Sequence, residues 1–167
     1  VRKIDYCLNF AKNYQDLGIS PPLWQNVNTV LLYAISHLDL SGISRTMHLD
    51  GLEIYADPLL EKVFSSLMDN ILRYATGATM ITLHYQENAG GIAILIEDNG
   101  PGIPAEDKEK IFDRAFAGRS ESGLFLAREI LSVTGISVRE TGTPGTGARF
   151  EIEVPVGAYR FQNKDPA

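Results

Sequence analysis

The sequence predicts an α/β protein: a two-layer sandwich of one mixed, mostly antiparallel sheet with helices on one face, preceded by an N-terminal helix. Three observations predict it. Segments with apolar residues three and four apart are interleaved with runs of strand formers. Short turns containing Asp-Gly or Gly-Gly separate several of those runs, which favours antiparallel neighbours. The 167 residues, 44% hydrophobic and 22% charged, suffice for one core plus a short extra element.

Each element follows from its local pattern. "IDYCLNFAKNYQDL" places Ile4, Leu8, Phe10, Ala11, Tyr14 and Leu17 at helical spacing, and Gly18 with Pro21-Pro22 stops it. "LWQNVNTVLLYAISHL" (23–38) reads as a second helix. "RTMHLDG" and "LEIYAD" alternate and read as a hairpin turning at Asp50-Gly51. Asp57-Pro58 looks like a cap and first-turn proline opening a long helix through Ala75. "MITLHYQEN" and "IAILIED" flank Ala89-Gly90-Gly91 as a second hairpin, followed by a helical patch near "AEDKEKIF" and a polar loop. The helix "GLFLAREILSVTG" and the strands "ISVRET" and "ARFEIEVP", joined by "GTPGTG", close the domain.

Composition narrows the function. A formal net charge of −6 argues against a nucleic-acid surface. The single cysteine, Cys7, excludes an internal disulfide, and no Cys/His spacing suggests a metal cluster. No apolar run reaches the ~20 residues of a membrane span, and "VRKIDYCLNF" is not a signal peptide. The expectation is a cytoplasmic fragment, opening on Val1, of a longer protein whose membrane anchoring is left open.

Two stretches point to a ligand. "IAILIEDNGPGIP" ends a strand in an acid, Asp98, followed by Gly100 and Gly102. A simple turn needs one glycine, so the pair suggests a ligand close to the backbone. "FSSLMDNILRYA" has a core stripe of Leu67, Ile71 and Ala75 and a second face of Ser66, Asn70, Arg73 and Tyr74. An ordinary solvated stripe is the alternative; the mid-helix asparagine favours a ligand.

In this order and spacing, "LMDNILRY", "EDNGPGIP", "IFDRAF", "ESGLFLAREIL" and "GTGARFEIEVP" resemble the boxes of the GHKL (Bergerat) ATP-binding fold. The similarity is greatest to the catalytic domain of sensor histidine kinases and spans residues 50 to 156. It implies that Asp98 reads the adenine amine, that Gly100 and Gly102 shape the base pocket, and that Ile103, Leu124 and Gly147 are among the nucleotide-binding residues. Asn70 would hold Mg²⁺ with the triphosphate of ATP, with Arg73, Tyr74 and Arg114 toward the phosphates and sugar. Gly123 would let phosphate approach the start of its helix. Residues 1–20 resemble the end of a dimerisation helix and its linker, leaving 21–167 as the ATP-binding domain. The partners implied are ATP, an upstream histidine-bearing dimerisation domain, a response regulator and a second copy in the full-length protein.

Three departures from the family pattern are visible. Glu121-Ser122 replaces the first half of Gly-Leu-Gly-Leu, Ala148 replaces a hydroxyl residue, and Ser66 stands where a second Asn is usual. A carboxylate at Glu121 would compete with phosphate, so a degenerate, non-catalytic nucleotide-sensing or dimerisation module is the alternative function. GHKL enzymes needing a general base carry Glu at the position of Ser66; Asp69 lies about 100° away around the helix. A histidine acceptor needs less help, which favours a histidine kinase. His37, His48 and His84 lack the context of a phosphoacceptor, which is expected upstream of Val1.

Overall fold

The computed structural model describes residues 2–115 and 123–162. Helix α1 (Arg2–Asp16) is followed by strand β1 (Leu23–Asn26), helix α2 (Val27–Ile35), and strands β2 (Ser44–His48) and β3 (Leu52–Ala56). Then come α3 (Leu60–Tyr74), β4 (Met80–Asn88), β5 (Gly91–Asp98), α4 (Gly123–Ser132), β6 (Ser137–Glu140), β7 (Arg149–Pro155) and β8 (Tyr159–Phe161). Two short 3-10 turns, Ala105–Asp107 and Lys110–Phe112, link β5 toward α4.

The strands form two sheets rather than the one expected. The larger has the order β2-β4-β5-β7-β6, with β2 parallel to β4 and every other pair antiparallel. The smaller is β1-β3-β8, antiparallel throughout. Helices α3 and α4 cover the larger sheet, α2 lies against α3, β1 and β3, and Phe64, Leu67, Ile71, Leu31 and Ile130 belong with Ile94, Ile96 and Phe150 to one core. A mixed, mostly antiparallel sandwich therefore stands.

Four local readings need correction. Leu23–Asn26 is a strand: Pro21-Pro22 hold the chain extended, and Trp24 lies against Tyr55 across the β1–β3 pair. The helix begins only at Val27, with the Asn26 side chain accepting from Thr29 N at 2.9 Å. The 45–57 segment is not a hairpin. Gly51, with φ of 72°, turns the chain, but β2 leaves to pair with β4 while β3, buried along most of its length, takes β1 and β8 on its two edges. Finally, α3 opens at Leu60 instead of Asp57. Asp57 still serves that end, its Oδ1 accepting from Leu59 N at 2.9 Å and its Oδ2 from Gly18 N at 3.1 Å. Strand β8 falls beyond the last strand read from sequence; Phe161 packs against Tyr85, with ring centroids 5.3 Å apart.

Helix α1 docks rather than standing apart. Phe10 is buried and, with Tyr14, stacks on Phe125 of α4 at centroid distances of 6.5 and 6.4 Å. No described helix is long and apolar enough to cross a membrane.

Candidate nucleotide site

Strand β5 runs through the centre of the larger sheet and ends at Asp98, which is 8% exposed. Oδ1 accepts from Gly100 N at 2.8 Å and from Ala148 N at 3.3 Å. Oδ2 is buried and has no partner among the described residues. A buried carboxylate oxygen left unpaired costs free energy unless a donor arrives. Burial raises the Asp98 carboxyl above its ordinary value, the two N–H bonds pull it down, and the charge of Glu140 adds to the rise. The half that is satisfied fixes the side chain; the other half is free to accept.

The glycines around Asp98 are explained first by protein packing. A Cβ on Gly100 would lie 2.8 Å from that of Ala75, at the end of α3. At Gly102, with φ of +74°, it would lie 2.9 Å from Gly147 O. At Gly147, with φ of +141°, it would lie 1.9 Å from Asp98 O. Three backbone segments therefore close on one carboxylate, and Gly145 N donates to Pro101 O at 2.7 Å to tie two of them. This crowding alone requires glycine at both positions after Asp98.

The α3 face points the same way along the chain. Asn70 is half-buried and makes no side-chain hydrogen bond to another described residue. Arg73 Nε sits 2.9 Å from Asp69 Oδ2, an exposed i, i+4 pair worth little in water and easily exchanged for another anion. Tyr74 is 44% exposed. Ser66 is half-buried on the same helix, and Asp69, engaged by Arg73, does not replace an acid there. Asn99, beside Asp98, is structural: its Oδ1 accepts from Thr79 N and Met80 N at 2.9 and 3.0 Å.

Residues 56–158, more than half of the chain, match the family described as histidine kinase-, DNA gyrase B- and HSP90-like ATPase. The chain belongs to this ATPase family. Among curated relatives, the alginate biosynthesis sensor protein KinB of Pseudomonas aeruginosa is 32% identical over 124 residues, 71% of this chain and 20% of KinB. The mycobacterial sensor histidine kinase MprB superposes with a TM-score of 0.70 at 19% identity, covering 80% of this chain and 97% of that one. The Acinetobacter baumannii histidine kinase AdeS gives 0.71 at 19%, covering 92% and 80%. At these identities the two structures speak for the fold, which is that of the ATPase family.

Within that fold, the residues singled out from sequence are only partly gathered. Asp98, Gly100, Gly102 and Gly147 meet at one point. A polar cavity of about 160 Å³ opens there, with Asp98, Thr143, Thr146, Gly147, Ala148 and Arg149 in its walls. Of the predicted residues only Asp98 and Gly147 line that cavity; Gly100, Gly102, Asn70, Arg73, Tyr74, Ile103, Arg114, Gly123 and Leu124 do not, Ile103 packing on the core and Leu124 being buried at the start of α4 behind Gly123. Arg114 is exposed just past the second 3-10 turn. Phe112 anchors that turn under the Arg128 guanidinium, 4.4 Å from the ring centroid. Glu121 and Ser122, and with them the competing-carboxylate expectation, lie outside the described residues.

Sequence reasoning missed Lys108 and Glu140. The Glu140 side chain is fully buried; Oε1 accepts from Gly142 N at 2.8 Å and Arg149 N at 2.9 Å, and Oε2 pairs with Lys108 Nζ. The available signal was register: Val138 and Glu140 share the buried side of a strand whose other residues are exposed.

Proposed function

We propose that this chain is the ATP-binding catalytic domain of a two-component sensor histidine kinase. The observation that carries the reading is the half-satisfied Asp98 carboxylate, buried in a pocket that backbone contacts hold rigid. A charged acceptor with one oxygen fixed and the other unpaired suits an exocyclic amine such as that of adenine. The donor set also suits magnesium: one amide oxygen, that of Asn70, is the kind of sparse protein ligation Mg²⁺ uses when phosphates supply the rest. Bound ATP supplies the phosphoryl group for transfer.

The chain's own residues bind and orient. Asp98 fixes the base, Asn70 the metal, and Arg73, Tyr74 and Arg114 stand toward the charged and sugar side. The backbone N–H groups at the start of α4, opened by Gly123, present a helix N-terminus for phosphate. No acid sits at the Ser66 position to act as base, which agrees with a histidine acceptor that is nucleophilic when neutral. That acceptor, and a response regulator receiving the group, belong to the rest of a longer protein or to other chains; residues 1–20 are the end of the dimerisation helix and its linker. Sensor kinases among the relatives support this, and the chain spans 20% of the length of KinB and 12% of that of KdpD.

Calorimetric titration with ATP and GTP, with and without Mg²⁺, tests the site. Binding that prefers ATP and strengthens with Mg²⁺ is expected; no binding of either nucleotide would leave a non-catalytic module. Supplying a histidine-bearing dimerisation domain in trans with labelled ATP then tests transfer.

A further inference from the structure

Glu140 and Lys108 are a buried ion pair that the nucleotide reading does not use. Both carboxylate oxygens of Glu140 are engaged inside the protein: Oε1 by Gly142 N and Arg149 N, Oε2 by Lys108 Nζ. Lys108 also donates to Gly142 O at 2.6 Å. It sits between the two 3-10 turns after Gly102, while Gly142 opens the loop that ends at Gly147 and Ala148. The pair thus cross-links the two segments that enclose Asp98, one of which supplies the Ala148 N–H to Asp98 Oδ1.

We propose that Lys108 and Glu140 form a positioning pair for the nucleotide site: together they hold the Gly142–Ala148 loop so that Asp98 keeps Oδ2 free for the base. The proposal rests on Asp98 as the base acceptor. A buried pair of this kind is weak evidence for a stabilising role, since well-packed apolar residues in its place often serve as well. Its position beside the orphan carboxylate gives it a use. Electrostatics follow from the same geometry. Of the charged groups near Asp98, Glu140 faces it from β6 with Lys108 behind. Glu97 and Arg149, paired with each other at 3.6 Å, also border the cavity at Asp98, and α3 meets the turn with Ala75. Lys108 therefore offsets the Glu140 charge that Asp98 feels.

Two readouts test this on the full chain. ATP affinity of Lys108→Met is expected to fall about tenfold, with recovery in Lys108→Arg. Carbon-detected NMR of the Asp98 carboxyl in ligand-free protein is expected to show its titration midpoint rising in Lys108→Met and falling in Glu140→Gln. The Glu140→Gln variant keeps an oxygen acceptor for Gly142 N and Arg149 N, so it reads the charge even where Lys108→Met does not fold. Midpoints that move together or not at all, or an unchanged ATP affinity in folded Lys108→Met, overturn the pair. Absence of ATP binding in the wild-type chain would instead overturn the base-acceptor reading, while the ligand-free titration still decides the pair.

Discussion

Glu97 and Asp98 are adjacent on β5 and face opposite sides of the sheet, and their surroundings differ in kind. Glu97 is half-buried on the outer face, with Oε2 2.8 Å from His84 Nε2 and Oε1 3.6 Å from Arg149 Nε. Further along that face Arg139 reaches Glu151 at 2.7 Å and Glu153 at 3.2 Å. Asp98, one residue on, has no ion-pair partner among the described residues, and its Oδ2 has no hydrogen-bond donor among them. Neighbouring side chains, His84, Arg149 and Arg139, meet the needs of the outer carboxylates. The inner one is satisfied only by something that comes in. Charge count alone does not mark a site; an unmet buried acceptor does.

The sharpest way to break the contrast is to disturb the backbone behind Asp98. Gly147→Ala puts a Cβ 1.9 Å from Asp98 O at a φ of +141°. Strain and overpacking together are expected to cost about 3 kcal/mol, read as a lowered denaturation midpoint with unchanged slope. A midpoint within experimental error of wild type would show that the three segments are not rigidly closed.

Asp98→Asn separates function from fold. The amide oxygen can still take Gly100 N and Ala148 N, but the free position becomes a donor. ATP binding is expected to weaken by about 1.5–3 kcal/mol, tenfold to over a hundredfold by calorimetry. The ligand-free protein should change the other way. A carboxyl whose folded value is raised contributes stability below the unfolded value of about 3.9 and loses it as pH rises through the raised folded value. At neutral pH Asp98 is thus a net cost, and Asp98→Asn should melt no lower than wild type. A variant that binds ATP normally would remove Asp98 from the site.

How far the sequence disclosed this follows from which signals are local. The β4–β5 hairpin, the α3 stripe and the acid followed by two glycines are written in neighbouring residues, and each was legible. What was not legible depends on distant partners. Leu23–Asn26 carries apolar residues that suit a helix, and only pairing with β3 makes it a strand. Asp50-Gly51 makes a real turn, yet β2 and β3 pair with strands far away in the chain. The packing role of Gly100 and Gly147 was not legible because Ala75 and Asp98 O, which a Cβ there would meet, lie 25 and 49 residues off. Glu140 escaped notice because its partner Lys108 is 32 residues away.

Asn70→Ala sharpens the contrast on the metal side. If the amide oxygen ligates Mg²⁺, the gain in ATP affinity on adding Mg²⁺ should fall at least about tenfold while metal-free binding changes little. Equal losses with and without Mg²⁺ would assign Asn70 to local packing.

The smallest effect belongs to the outer face, where Arg139→Ala tests whether the paired carboxylates matter to the fold. Burial raises the Glu151 carboxyl. A hydrogen bond shared with Glu153, those from Arg139 and Thr141, and the Arg139 charge outweigh it and bring the carboxyl down to about 2. A lowered folded value means the stabilisation is present above the unfolded value of about 4.3 and is lost as pH falls through about 2. Arg139 is 57% exposed, so solvent screens most of that benefit. Arg139→Ala should therefore cost below about 1 kcal/mol at pH 7, less in high salt, and less again as pH drops from 4 toward 2. Urea denaturation of both proteins at pH 7 and near pH 2.5 reads this directly. A larger cost, or one indifferent to pH, would mean that the outer network holds the sheet together, and the division between solvated and ligand-facing carboxylates would fail on that side.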